Sequence, residues 1–304
     1  MRKLRYQLVD VFTSERFGGN QLAVFTNGRG VEADVMQRIA KELNLSEITF
    51  VLPPEDPAND YRVRIFTPAI EMPMAGHPTV GTAFVLAREH LVNIDFERTA
   101  IRLEEQVGVI PVNFAFEDDG RLLVTMQQPL PTFGPEFTDR AVIADMLSLD
   151  ESALDDYPLQ VIACGLPFLF VPVKNLEAMR AIKLRLDIWE RAVKDHAEQH
   201  VFAFTHQVEK EGSTVHSRMF APAMGIPEDP ATGAASGPLG CYLVKHGIVT
   251  DNPAGTPALI VSEQGIEMGR PSFIHIQIDQ TDGKISRVSV GGQSVYIGEG
   301  AIEI

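Results

Sequence analysis

The alternation of apolar and polar positions along the chain predicts strands and helices that follow one another closely. Period-two patterns indicate strands, and apolar residues at the helical period indicate helices. Glu47 begins a β-branched run directly after a predicted helix, so it lies at a helix-to-strand junction. In the first half, strands are expected over residues 6–13, 22–26, 46–51, 61–66 and 101–126, and helices over 32–43 and 79–90.

The second half of the chain repeats the first. The phrase Arg-Ile-Phe-Thr-Pro-Ala at 64–69 returns as Arg-Met-Phe-Ala-Pro-Ala at 218–223. We therefore predict two similar lobes, 1–128 and 129–304, joined by a proline-rich linker over 129–135, with last strands that could pack back toward the first lobe. In the second half, strands are expected over 160–173, 201–205 and 214–220, and helices over 176–184, 187–194 and 237–246.

A glycine-containing turn follows each copy of the phrase and leads into an apolar, helix-like run. Free N–H groups at a helix N-terminus, together with the helix dipole, favour bound anions. Gly76 and Gly233 are expected to permit a tight turn and a close approach of ligand. Asp229 is expected to cap the second helix, and His77, before Pro78, either faces substrate or braces its turn. A pair of such turns would bind a small acid.

Composition and charge exclude several classes of protein. The 304 residues are 45% hydrophobic with a formal charge of −15, which argues against binding of nucleic acid. The longest apolar stretch, 161–173, is too short to cross a membrane, and no secretory signal is evident. Two cysteines fit a reducing compartment, so a cytoplasmic location is expected. No nucleotide-binding loop is present, and the histidines at 196, 200, 206 and 216 lack metal-site spacing.

These features together resemble the PhzF-like family of phenazine biosynthesis, built on the diaminopimelate-epimerase-like fold. The resemblance covers nearly the whole chain. It is carried by Gly19-Asn20 before Leu-Ala-Val-Phe, by Leu-Ser-Glu-Ile-Thr-Phe at 45–50, by the phrase at 64–68, by Gly-His-Pro-Thr at 76–79, by Asp-Pro-Ala-Thr-Gly at 229–233 and by Gln264-Gly265 before Met-Gly-Arg-Pro-Ser at 268–272.

The resemblance implies an α/β (α+β) fold of two pseudo-repeated lobes, each a mixed barrel-like sheet around a central helix, with the active site in the cleft between them. It also implies an isomerase that moves a proton within a small carboxylic acid, without metal or organic cofactor, and that forms a homodimer. The family's catalytic glutamate falls on Glu47, which the resemblance therefore implies as acid and base. From their positions at the two turns and in the cleft, we also expect His77 and Asp229 to be catalytic and Gly76, Gly233, Ser46, Asn20 and Ala234 to bind substrate.

Two departures from the family pattern bear on the substrate. Gln21 stands where proline is usual, and Ala234 stands where serine commonly follows the Asp-Pro-Ala-Thr-Gly run. A missing hydroxyl changes which substrates a site accepts, so the reaction class transfers better than the phenazine precursor itself.

Two other functions stay open from the sequence. The chain could be a small-acid binding protein or scaffold without turnover. An epimerase or racemase is disfavoured, because the fold's racemases use two opposed thiols, whereas Cys164 and Cys241 lie in apolar runs typical of a core.

Overall fold

A computed structural model describes residues 2–74, 76–95, 99–117, 120–195, 199–249 and 256–304. The chain divides into two compact units, Met1–Gln127 with Val290–Ile304, and Gln128–Ser289. The predicted lobes, 1–128 and 129–304, differ from these units at residue 128 and over residues 290–304. Within the described ranges, no helix is long and apolar enough to span a membrane.

The first unit is a mixed sheet with two helices. Its strands are β1 (Lys3–Val11), β2 (Asn20–Phe25), β3 (Glu47–Leu52), β4 (Tyr61–Phe66), β5 (Glu71–Met72), β6 (Ala100–Glu105), β7 (Gly108–Phe116), β8 (Leu122–Gln128) and β18 (Ser294–Glu303). Its helices are α1 (Ala33–Leu43) and α2 (His77–Arg88). Gln128, the last residue of β8, belongs to the second unit.

The second unit is also a mixed sheet with helices. Its strands are β9 (Thr132–Glu136), β10 (Gln160–Ala163), β11 (Pro167–Pro172), β12 (Val201–Thr205), β13 (Val215–Ala221), β14 (Ile226–Asp229), β15 (Ala258–Gln264), β16 (Ser272–Thr281) and β17 (Lys284–Gly292). Its helices are α3 (Arg140–Met146), α4 (Leu176–Ala181), α5 (Leu186–Ala192) and α6 (Gly233–Lys245).

Strand pairing confirms the internal repeat. In the first unit, β1 pairs antiparallel with β2, β2 runs parallel to β3, β3 is antiparallel to β4, and β4 is parallel to β6 and antiparallel to β5. In the second unit, β10 to β15 follow the same sequence of antiparallel and parallel pairs. Each unit therefore contains the same pairing scheme once.

The central helix of the first unit lies tightly against its sheet. The side chains of β3 alternate, so Ile48 and Phe50 pack with α1 in one hydrophobic cluster. On the opposite face, the Thr49 hydroxyl is hydrogen-bonded to that of Thr82 in α2, at 2.8 Å. A Cβ atom at Gly81 would lie 2.6 Å from side-chain atoms of neighbouring strands, so this glycine permits the close approach of α2.

Two predictions about the second half were wrong. Helix α6 begins at Gly233 rather than at Gly237 and includes Pro238. Residues 233–243 of this helix are all buried, and this packing outweighs the cost of an internal proline. The predicted linker contains β9, which pairs antiparallel with β10. Pro135 is the only proline within β9, and it lies opposite an irregularity in this register, between Gln160 and Ile162, where proline is tolerated in a sheet.

Candidate active site

Glu47 is a buried carboxylate at the start of β3. It pairs with Leu22 in the parallel ladder between β2 and β3. Strand alternation places its side chain on the same face as Thr49, which is the face that α2 covers. Glu47 is 8% exposed, so the strand holds a carboxylate out of bulk water beside a helix N-terminus.

Asn20 lies at the equivalent end of β2, because β2 and β3 are parallel neighbours. The turn before it needs glycine: Gly19 has φ +62°, and a Cβ there would lie 2.3 Å from the Val11 carbonyl oxygen. Asn20 is 1% exposed, and its amide Nδ2 donates to His77 Nδ1 at 3.2 Å. The strand ends and the helix thus bring Asn20, Glu47 and His77 together.

His77 is the first residue of α2 and is almost completely buried. Its Nδ1 lies 3.4 Å from Glu47 Oε2. Burial lowers the pKa of His77 to about 3, while a contact with the Gln21 backbone acts in the opposite direction. The ring is therefore neutral at neutral pH, and its contact with Glu47 is not an ion pair.

The hydrogen bond from Asn20 decides which ring nitrogen carries the proton. Because Asn20 donates to Nδ1, the proton of the neutral imidazole of His77 is on Nε2. This Nε2 is buried and has no hydrogen-bond partner among the described residues. The ring also contacts the Gln21 backbone, so Asn20 and Gln21 together hold the imidazole beside Glu47.

The second unit has its own polar cluster at the N-terminus of α6. Asp229 ends β14, is 4% exposed, and accepts from the Thr232 hydroxyl at 2.7 Å. The buried Gln264 side chain contacts both residues: its amide donates to the Asp229 carbonyl at 2.7 Å and to Thr232 Oγ1 at 3.0 Å. We did not single out Gln264 as a site residue from the sequence, although it stands in the Gln264-Gly265 motif.

Predictions about the turn residues need correction. The N-cap residue of α6 is Thr232, not Asp229, which instead ends a strand. Gly76 has φ −83° and ψ −72°, which other residues also adopt, so its backbone conformation does not require glycine. Gly233 lies inside the first turn of α6 rather than in a loop, and its carbonyl accepts from the Gln128 amide at 2.9 Å.

The repeated phrase builds a matching support in each unit. Arg64 makes a bidentate pair with Glu71 at 2.7 and 2.6 Å, and Arg218 pairs likewise with Glu228 at 2.8 and 2.9 Å. Each guanidinium also lies 5.2 Å from the ring centroid of the phenylalanine two positions later. The repeated phrase therefore supports the fold of each unit through the same internal contacts.

The carboxylate of Glu47 has no counterpart at the equivalent position of the second unit. We compared the pairing of β12 with β13 to that of β3 with β4 by matching Arg218 to Arg64. In this alignment, His200 is equivalent to Glu47. Burial lowers the pKa of His200 to about 4. The two units thus share a framework but place different side chains at this position.

The other predicted residues lie near these clusters in sequence. Ser46 is half-buried and precedes Glu47, while Ala234 is buried in the first turn of α6. Ala75 and His196 lie outside the described residues. In the part of the chain that is described, no group of three or more His, Cys, Asp or Glu side chains could hold a metal ion.

Comparison with known proteins gives the family. The family model described as "Phenazine biosynthesis-like protein" matches residues 9–300. The chain belongs to this family. The chain is 38% identical over 298 residues to the trans-2,3-dihydro-3-hydroxyanthranilate isomerase of Pseudomonas aeruginosa, covering 97% of this chain and 98% of that enzyme. It is 34% identical over 312 residues to an uncharacterized isomerase of Mesorhizobium japonicum, covering all of both chains.

Solved structures agree with this membership of the phenazine biosynthesis-like family. The PhzF-family protein of Bacillus anthracis has a TM-score of 0.91 at 26% identity, with 100% of both chains covered. A probable proline racemase of Agrobacterium radiobacter has a TM-score of 0.66 at 10% identity, covering 99% of this chain and 93% of that one, which shows a shared fold alone. The predicted family and fold class are confirmed, and the chain is an enzyme of the isomerase class.

Proposed function

We propose that this isomerase moves a proton between two carbons of a small carboxylic acid, with Glu47 as both base and acid and without a cofactor. The observation that carries the proposal is the buried Glu47 carboxylate, which lies 3.4 Å from the neutral ring of His77 at the start of α2. A positioned carboxylate can remove and return a proton, and a neutral imidazole beside it can donate a hydrogen bond to charge that develops on the substrate.

The steps balance without any other reactant. The Glu47 carboxylate removes a proton from a substrate carbon, and the electrons of that C–H bond shift into the adjacent double-bond system. Negative charge develops on a substrate oxygen, and the His77 Nε2–H donates a hydrogen bond to it. The protonated Glu47 then returns the proton to a second carbon, so the enzyme ends the cycle unchanged.

The relative from Pseudomonas aeruginosa makes trans-2,3-dihydro-3-hydroxyanthranilate the first substrate to test. Asp229, Gly76, Gly233, Ser46, Asn20 and Ala234 stay predicted substrate-binding or catalytic positions. A homodimer likewise stays a prediction. Cys164 and Cys241 are both buried and both lie in the second unit, so a racemase with one thiol in each unit has no candidate in the first.

Deuterium incorporation measured by NMR in D₂O tests the proposal. Wild-type protein, Glu47→Gln and the exposed control Glu42→Gln would be incubated with trans-2,3-dihydro-3-hydroxyanthranilate, called the dihydro acid below. Glu47→Gln keeps the shape of the side chain but cannot accept a proton, so its exchange rate should fall by roughly 10²- to 10⁴-fold. Glu42→Gln, on the exposed side of α1, should match the wild type.

Two other outcomes are possible, and a measurement of ligand binding beside the exchange rate distinguishes them. Exchange at the wild-type rate in Glu47→Gln would refute Glu47 as the proton carrier. Binding of the acid by the wild type without any exchange would instead favour the small-acid binding protein, the second function that the sequence left open.

A further inference from the structure

In each unit, the residue at one equivalent strand position contacts the N-terminus of a helix. Strand β6 pairs Glu104 with Arg62 of β4, and β15 pairs Glu263 with His216 of β13. The next residue along each strand is Glu105 in the first unit and Gln264 in the second. These two residues are therefore equivalent in the repeat.

The residues beside them confirm that this alignment is real. The Glu104 carboxylate accepts the backbone N–H groups of residues 55 and 56 at 2.7 and 2.8 Å. Glu263 accepts the backbone N–H groups of residues 209 and 210 at 2.6 and 3.0 Å. Each carboxylate thus ties down the loop between the corresponding strands, β3 to β4 and β12 to β13.

Both equivalent residues reach the helix that follows in their unit. Glu105 accepts a hydrogen bond from the Thr79 hydroxyl in the first turn of α2. Gln264, which is fully buried, contacts Thr232 at the start of α6 through both ends of its amide: Oε1 accepts from the Thr232 N–H at 3.1 Å, and Nε2 donates to Thr232 Oγ1 at 3.0 Å. One position in the repeat therefore anchors both central helices.

The amide of Gln264 also fixes the direction of a hydrogen-bond relay. Because Nε2 can only donate, the Thr232 oxygen accepts from Gln264 and its own proton points to Asp229 Oδ2, at 2.7 Å. Nε2 donates to the Asp229 carbonyl as well, at 2.7 Å. Gln264 thereby holds the backbone of Asp229 and orients the hydroxyl that contacts its carboxylate.

The following loop is held against the same turn. A Cβ at Gly265, which has φ +75°, would lie 2.5 Å from the carbonyl oxygens of Pro230 and Arg270. The backbone after Gln264 is therefore in van der Waals contact with the turn after Asp229, which leaves Gln264 little freedom to move away.

We propose that Gln264 is a positioning residue of the isomerase. It affects the substrate indirectly, because it holds Thr232 and Asp229 in place. The proposal rests on the proposed function in that it needs Asp229 to contact substrate. A glutamate at 264, the residue type that the first unit has at the equivalent position, has no amide proton. The Thr232 hydroxyl would then donate to the new carboxylate and turn away from Asp229.

Reciprocal variants test this relay. Gln264→Glu should raise the KM for the dihydro acid by about 10-fold or more, the cost expected when a buried hydrogen-bonding group loses its partner, with a smaller change in kcat. Thr232→Val should have a similar effect, whereas Thr232→Ser, which keeps the hydroxyl, should restore binding. In the Thr232→Val background, Gln264→Glu should add little, because both changes interrupt one relay.

A purely structural role would give a different pattern. It would lower the melting temperature and the active fraction, and hence kcat, but would leave KM unchanged. Gln277→Glu is the control, since the hydrogen bonds described for the Gln277 side chain go to Asp279 in the same strand. Equal KM values for Gln264→Glu and Gln277→Glu, or full additivity with Thr232→Val, would overturn the proposal.

Measurements that need no turnover distinguish failure of the positioning role of Gln264 from failure of the proposed function. If the dihydro acid does not react, binding of 3-hydroxyanthranilate, the aromatic acid with the same substituents, is measured by titration in the same variants. Amide exchange of the Thr232 N–H, read by NMR, should also be faster in Gln264→Met than in the wild type. Unchanged exchange at Thr232 would overturn the positioning role even if no ligand is found.

Discussion

The buried histidine of the second unit gives a prediction whose size follows from the structure. His216 is completely buried, and both ring nitrogens contact carboxylates: Nδ1 to Glu263 at 2.8 Å and Nε2 to Glu267 at 2.9 Å. Burial alone would lower the pKa of His216, but the two carboxylates outweigh it and raise the pKa from 6.5 to about 9. The folded protein therefore holds a proton here that the unfolded chain releases earlier as pH rises.

The sign of the effect on stability follows from this difference. Between about pH 6.5 and pH 9, the folded state binds more protons at His216 than the unfolded state does, so stability falls as pH rises. The contribution is complete below the unfolded pKa and is lost above the folded one. At about 1.36 kcal/mol per pKa unit, the rise to about 9 corresponds to a contribution of about 3 kcal/mol.

Urea unfolding measured at about pH 6 and about pH 10 tests this contribution. The free energy of unfolding of the wild type should fall by about 3 kcal/mol more over this range than that of His216→Gln, which has no titrating group at position 216. His275→Gln, at an exposed histidine of the same unit, should follow the wild type. Parallel pH dependences of the wild type and His216→Gln would refute the reasoning.

The remaining predictions concern the support of the fold and use thermal or urea unfolding. Arg218→Met should cost about 3 kcal/mol because it leaves Glu228 without its bidentate partner. Arg64→Met should cost at least about 1 kcal/mol less, because only Arg218 also donates to two backbone carbonyls; equal losses would contradict this. Gly81→Ala should lower the stability by about 1–2 kcal/mol, since overpacking against Leu22 exceeds the gain in helix propensity. A higher melting temperature in Gly81→Ala would contradict the tight contact of α2 with the sheet.

The sequence predicted the elements best where local periodicity and packing agree. Residues 201–205 form a strand with the predicted bounds, and α1 is the predicted helix over 32–43 less its first residue. Predictions failed where the packing of the whole unit overrode a local signal. The helix predicted over 237–246 begins earlier, because burial of the preceding turn carries α6 back to Gly233.

In the candidate site, too, some features could be predicted from the sequence and others depended on tertiary packing. The motifs alone pointed to Glu47, His77 and Asn20, and the structure brings these three side chains together. The state of His77 could not be read from the motif, because its neutral ring depends on burial and its tautomer on the Asn20 amide. Gln264 was missed as a site residue for a similar reason, since strand pairing brings it to residues far away in sequence.

The sequence by itself determined the duplication, the order of the elements, the family and the short list of polar residues, because periodicity and repeated phrases are local properties of the chain. Only the tertiary structure decided which of these residues share a cluster and in which protonation state. Hydrogen bonds and burial depend on neighbours from distant strands. The repeated Arg64 and Arg218 therefore proved to be supports of the fold, whereas Glu47 and His77 form a buried pair that the repeat does not duplicate.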